Sequence, residues 1–177
     1  MRRYHFNDVL FMKKGKVLSL ENEDNKTVGF IEKTDISGCE KGHSFSFTLN
    51  DGTATMIGIK KRGIKNFLTA TYVIKMEDTT YMLKDKAGDN LLYFCILGEI
   101  DGKSIRIEEN WQNEIEVKIE KAHIATIKKD EFSLKSFILI EDDFDASSTF
   151  FAITVLMYFM HKIYKNESSF IESLLFD

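Results

Sequence analysis

The chain contains no proline and only two cysteines. Without proline, a strand lacks the simplest residue for blocking edge-to-edge pairing. A β-rich chain must then hide its edges by another route. Cys39 and Cys95 stand far apart, at no metal-ligand spacing such as C-x-x-C. Two readings stand for them: reduced thiols of a cytosolic protein, and a single bridge. An excess of positive charge is lacking as well. Lys and Arg number 24 against 28 Asp and Glu, a formal net charge of −4. This excludes a strongly basic chain built to neutralise nucleic-acid phosphates, although a local basic patch remains open.

A long hydrophobic run is also missing. Residues Ala146 to Met160 carry no charge, but His161 and Lys162 close the run. A bilayer crossing needs about 20 apolar residues, so the segment reads as a buried core helix and no transmembrane span is expected. The opening residues Met1-Arg2-Arg3-Tyr4-His5-Phe6-Asn7-Asp8 lead into no apolar signal region, which points to a cytoplasmic location. G-x-S-x-G, H-E-x-x-H, Walker A and G-x-G-x-x-G are all absent. His5, His43, His123 and His161 are scattered singly. Asp142, Asp143 and Asp145 precede no Gly-centred calcium loop. No catalytic residue, metal ligand or cofactor is picked out, and a non-enzymatic protein is expected.

What is present is apolar mass: 15 Phe, 6 Tyr and one Trp in 177 residues, too much to leave in water. That length suits one domain. Short apolar runs alternate with turn residues along the first four-fifths of the chain. They predict strands at Tyr4–Phe11, Lys16–Glu21, Thr27–Lys33, His43–Asn50, Thr53–Lys60, Phe67–Met76, Thr79–Asp85, Leu91–Gly98, Ser104–Glu109, Glu114–Glu120, Ala122–Lys128 and Leu134–Glu141. Ile105 and Ile107, like Ile115, Val117 and Ile119, alternate with Arg106, Glu108, Glu116 and Lys118. A period of two sends the first set to a core and the second to water. Asn50-Asp51-Gly52 and Asp101-Gly102 are hairpin signals.

The period then changes. Asp145, Ser147 and Ser148 are N-cap residues ahead of a helix over about 146–164 that is apolar on every side. About twelve strands make a barrel too wide for its own side chains to fill. One apolar helix through the lumen fills it, and closure removes the edges. The expected fold is therefore mainly β: a closed antiparallel barrel around a central C-terminal hydrophobic helix, spanning 1–165. A break at Lys165-Asn166-Glu167-Ser168-Ser169 and an amphipathic tail, 166–177, follow. A carrier of small apolar ligands would need the helix outside an empty lumen.

Strands with D/N-G turns, then Phe137-Ile138-Leu139-Ile140-Glu141, an acidic turn and one very apolar helix resemble the tubby C-terminal-like superfamily. Length and layout are most similar to its small single-domain branch, the LURP-one-related proteins and their bacterial relatives. The resemblance covers nearly the whole chain, is most specific over Phe137–Met160, and implies the twelve-strand barrel around a hydrophobic helix. The chain carries no tubby-type N-terminal extension, and after the helix it has no calcium segment or membrane span of the scramblase kind. Neither regulated transcription nor scrambling is expected of it.

One basic cluster stands out, Lys60-Lys61-Arg62-Gly63-Ile64-Lys65. Lys60, Lys61, Arg62 and Lys65 read either as a solvated loop or as a cradle for an anionic headgroup. The tubby branch binds phosphoinositide headgroups on its barrel surface, so the resemblance favours the second reading. Lys13-Lys14-Gly15-Lys16 is a second, plainer cluster. Trp111, in the turn Asn110-Trp111-Gln112-Asn113, reads as packing over the barrel mouth or as an interface anchor. Phe170, Ile171, Leu174 and Leu175 lie on one helical stripe. The stripe packs back on the barrel or serves a partner, with Phe170, Leu174 and Leu175 as the contact residues. The expected function is a binding module for an anionic phospholipid headgroup or a protein partner. The alternative is an assembly protein that self-associates through the stripe.

Overall fold

The computed structural model describes residues 1–9, 12–62, 69–86, 93–130, 133–145 and 148–176, apart from the side chains of 171, 172 and 174–176. Twelve strands precede one helix. They are β1 (Arg2–Asn7), β2 (Val17–Asn22), β3 (Thr27–Lys33), β4 (Cys39–Leu49), β5 (Ala54–Lys60), β6 (Thr71–Met76), β7 (Thr79–Asp85), β8 (Cys95–Ile100), β9 (Lys103–Glu109), β10 (Ile115–Ile119), β11 (Ala122–Asp130) and β12 (Lys135–Ile140). The helix, α1, is Thr149–Phe176. The expected strand ends at Phe11, Phe67 and Leu91, and the cap candidate Ser147, lie outside the described residues.

Each strand pairs antiparallel with its neighbours in sequence, and β1 closes the barrel on β12, from Arg2↔Ile140 to Asn7↔Lys135. Closure leaves no exposed edge, which a chain without proline requires. The tight turns obey their chemistry. Asp101 and Gly102 both take positive φ, 52° and 73°, as a two-residue hairpin of the primed kind demands.

The lumen is filled by α1. Phe151, Ile153, Val155, Leu156, Met157 and Met160 are wholly buried, and Phe150, Ala152, Thr154, Tyr158 and Phe159 nearly so. They form one apolar cluster with inward side chains of every strand, among them Leu20, Ile31, Ile57, Ile74, Leu83 and Ile107. Rings set the contact: Tyr4 meets Phe151 edge-on at 5.0 Å, Phe45 stacks on Phe159 at 4.8 Å, and Phe6 meets Tyr158 at 5.1 Å. Such pairs add to what burial alone supplies. Phe47 meets Phe151 edge-on at 5.8 Å, and room for its ring comes from Gly29, where a Cβ would stand 2.6 Å from it. Thr154, the polar residue within this stretch, satisfies its hydroxyl locally by donating to the Phe150 carbonyl at 2.7 Å. The filled lumen overturns the carrier reading. Cys39 sits under a small outer cluster with Ile36 and Val73, and both cysteines are buried thiols.

Ser148 caps the helix, its Oγ accepting from the Phe151 amide at 3.3 Å. The far end departs from expectation. There is no break at Lys165–Ser169, and α1 runs on to Phe176. None of those five residues is glycine or proline, so each costs the helix little. Two of them, Lys165 and Glu167, are held by the barrel rim. Among the described residues no helix is long and apolar enough to cross a membrane.

Leu156→Asp places a carboxylate in the middle of this cluster, where it costs several kcal/mol, comparable to the whole stability of a domain. The expected outcome is loss of the cooperative thermal transition seen by circular dichroism. A soluble variant with the parent melting curve would exclude a lumenal helix.

Candidate functional site

An antiparallel meander sends alternate turns to opposite ends of a barrel. The turns after β2, β4, β6, β8 and β10 share the end where α1 enters, and those after the odd-numbered strands share the end where it leaves. The entry end carries Glu23, Asp24, Asp51, Glu77, Asp78 and Asp101, all exposed. The exit end carries both basic clusters, with Lys13, Lys14, Lys16, Lys60 and Lys61 exposed and Lys41 beside them. Among the described residues, these acidic side chains outnumber the exposed Lys26, Lys103 and Lys121 at the entry end, and the exposed lysines outnumber Asp35, which pairs with Lys14 at 2.6 Å, at the exit end.

Arg62 departs from its neighbours. Its side chain is only 9% exposed, and its guanidinium is spent on two carboxylates. Arg62 Nε and Nη2 donate to Glu40 at 2.7 and 3.0 Å, and Nη1 and Nη2 donate to Glu167 at 3.0 and 2.6 Å. This double fork is the strongest form of charged pairing. Glu40, then Glu167, push the guanidinium's pKa up, and the Arg62 hydrogen bond holds Glu40 below the usual carboxylate range. Glu40 reaches Arg62 because the register of β4 against β5 slips between Cys39 and Ser44. Arg62 is thus a clamp tying the extension of α1 to the rim, not a cation offered to a headgroup. His43 joins the group, with Nδ1 3.0 Å from Glu40. Glu40, His43 and Glu167 place ligand atoms within 4.8 Å of one another, a spacing a metal ion uses, but the guanidinium already neutralises both carboxylates. Lys60 and Lys61 are exposed. Lys65 lies outside the described residues.

Two further clasps complete the collar around the departing helix. Lys162 donates to Asp8 at 2.7 Å, and Lys129 lies 3.2 Å from the same carboxylate. Burial would raise the Asp8 pKa, but the Lys162 and Tyr158 hydrogen bonds win and hold it low. Lys165 pairs with buried Glu109 at 2.6 Å, and His161 lies 3.4 Å from it. On the adjacent wall Glu108 accepts from Lys118 at 2.8 Å, Arg106 at 2.7 Å and Tyr93 at 2.7 Å. Burial opposes these bonds, yet they pull the Glu108 pKa down to about 2.

Beyond the collar, Phe170 is exposed on the helix extension. The side chains of Leu174 and Leu175 lie outside the described residues. Trp111 does not pack over the barrel mouth. It stands fully exposed at the tip of the turn from β9 to β10, at the exit end. Sequence reasoning missed the convergence of both basic clusters, Trp111 and the tail on one end. The signal was there, since sorting turns alternately along the predicted meander would have found it. The chain matches no family model, no curated protein and no solved structure.

Arg62→Met leaves Glu40 and Glu167 without their shared cation, and a loss of about 3–5 kcal/mol is expected by chemical denaturation. Lys61→Met should change stability by less than about 0.5 kcal/mol. Equal effects would show that the clamp carries no energy.

Glu108 is ionised more easily folded than unfolded, so its contribution is present above its ordinary pKa of 4.5 and is lost as pH falls toward about 2. Glu108→Gln should therefore flatten the acid limb of the stability profile in that window and lower stability near neutrality. An unchanged acid limb would remove this role.

Proposed function

We propose that the protein is a non-enzymatic binding module that docks on anionic phospholipid surfaces with the helix-exit end of its barrel. The segregation of charge between the two ends carries this reading. A basic end on an acidic chain orients the molecule toward an anionic surface and turns the acidic end away. Each lysine near such a surface contributes about 1 kcal/mol, so Lys13, Lys16, Lys60 and Lys61, with Lys14 shared with Asp35, together suffice for reversible docking. The filled lumen supports surface recognition over enclosure of a ligand. A cytoplasmic location, facing the anionic leaflet, belongs to the same proposal. The resemblance to the tubby C-terminal-like superfamily, carried by strand count, chain order and the lumenal helix, supports it too.

A second reading rests on the exposed Phe170: self-association through the helix extension. Sedimentation velocity of the parent and of Phe170→Asp separates the readings. A monomer in both cases removes it.

Co-sedimentation with vesicles of phosphatidylcholine alone and with added phosphatidylserine tests the main reading. Binding is expected only in the second and should fall as salt rises. Lys60→Glu with Lys61→Glu should weaken it about tenfold or more, and Lys13→Glu with Lys14→Glu similarly. Lys26→Glu with Lys121→Glu, at the entry end, should leave it unchanged. Negligible sedimentation with both vesicles at low salt would overturn the proposal.

A further inference from the structure

Trp111 is the single tryptophan of the chain, and its relative exposure is 104%. An indole left in water forgoes roughly 1.5–3 kcal/mol of burial. The turn that holds it is well fixed. Asn110 Oδ1 accepts from the amides of Gln112 at 2.9 Å and Glu114 at 3.0 Å. The Asn113 amide donates to the Asn110 carbonyl at 3.0 Å, and Asn113 takes a positive φ of 59°. Asn110 Nδ2 reaches back to Glu114 and Glu116, 3.2 Å each. A large ring on a fixed turn loses little freedom on engaging a surface.

Its surroundings suit an anionic surface. The four turn residues, 110–113, carry no charge. The cleft beneath, of about 480 Å³, is lined by Glu108, Glu109 and Glu116. Each is already paired, with Lys118 and Arg106, with Lys165, and with Lys118 respectively. They therefore repel little. On the other flank, Gln112 and Asn113 share a cleft of about 340 Å³ with Asp8, Glu114, Lys128, Lys129, Lys162 and Lys165, where Lys129 and Lys162 are paired with Asp8 and Lys165 with Glu109. The exposed lysines of the two basic clusters stand at the same end.

We propose that Trp111 is a membrane anchor, its indole entering the boundary between headgroups and acyl chains when the basic end meets an anionic phospholipid bilayer. This rests on the docking reading above and adds the contact that makes docking more than electrostatic. Indole prefers that boundary because its body is apolar and its Nε1–H donates to headgroup or ester oxygens. Lysines bring the barrel to the surface through a field that salt screens within about 8 Å. A buried ring adds a component that salt does not remove.

The single tryptophan reports on itself. Adding vesicles of phosphatidylcholine with phosphatidylserine should shift its emission to shorter wavelength, and vesicles with brominated acyl chains should quench it. Phosphatidylcholine alone should do neither. Trp111→Ala should bind the anionic vesicles about tenfold more weakly, with the remaining binding abolished by moderate salt, and its melting curve should match the parent. Trp111→Phe should recover part of the affinity. Sedimentation with anionic vesicles but unchanged, unquenched emission would overturn the anchor and leave the docking reading intact. No sedimentation would remove both. A blue shift that grows with protein concentration without lipid would overturn the anchor by placing Trp111 between copies of the chain.

Discussion

A barrel of this strand number cannot fill itself, and an all-apolar helix cannot stand in water. Their mutual burial is the constraint on which the rest of the molecule depends. Phe151 against Tyr4 and Phe159 against Phe45 fix the helix along the barrel axis. A fixed axis gives the barrel two distinct ends, because the strands alternate about it. Everything of functional interest follows from which end a turn belongs to.

The ionic collar is the second consequence. Where α1 leaves the barrel, its apolar stretch gives way to His161, which lies 3.4 Å from Glu109, and to Lys162, Lys165 and Glu167, each of which meets an opposite charge from the wall. These pairs are spread over Asp8, Glu109 and Arg62, so the helix is held from several sides. Half-buried pairs of this kind are costly to break singly, which makes them better at fixing a register than at adding net stability. The extension of the helix is thereby carried outward from the basic end.

The strands were legible because each carries its own signal. A period of two runs through Ile115, Val117 and Ile119, and Asp101-Gly102 marks its turn without help from elsewhere in the chain. The core helix was legible for the same reason. Its length was not, since Lys165 and Glu167 favour helix only through partners remote in sequence. Arg62 looked like Lys60 and Lys61 because nothing local separates them. The difference lies in Glu40 and Glu167, brought to it by a slipped register and by the helix. Of the two readings left open for Trp111, packing over the barrel mouth fails, although an indole in a turn usually finds cover. Here the Asn110 side chain spends its bonds on holding the turn, and no neighbour folds over the ring.

The closing pair, β1 on β12, and the lumenal helix together set the order in which the molecule can become whole. During synthesis the meander emerges hairpin by hairpin, and each hairpin can form from neighbours already made. Its inner face, with Leu20, Ile31, Phe47, Ile57 and Ile74, has nothing to rest against until residues 149–160 leave the ribosome. For most of translation the chain is an open, curved sheet with a bare apolar side and two unpaired edges. Such a species aggregates unless it is shielded. The segment that ends this exposure is the last of the core in chain order, so how long the apolar face stays bare is set by the position of one helix.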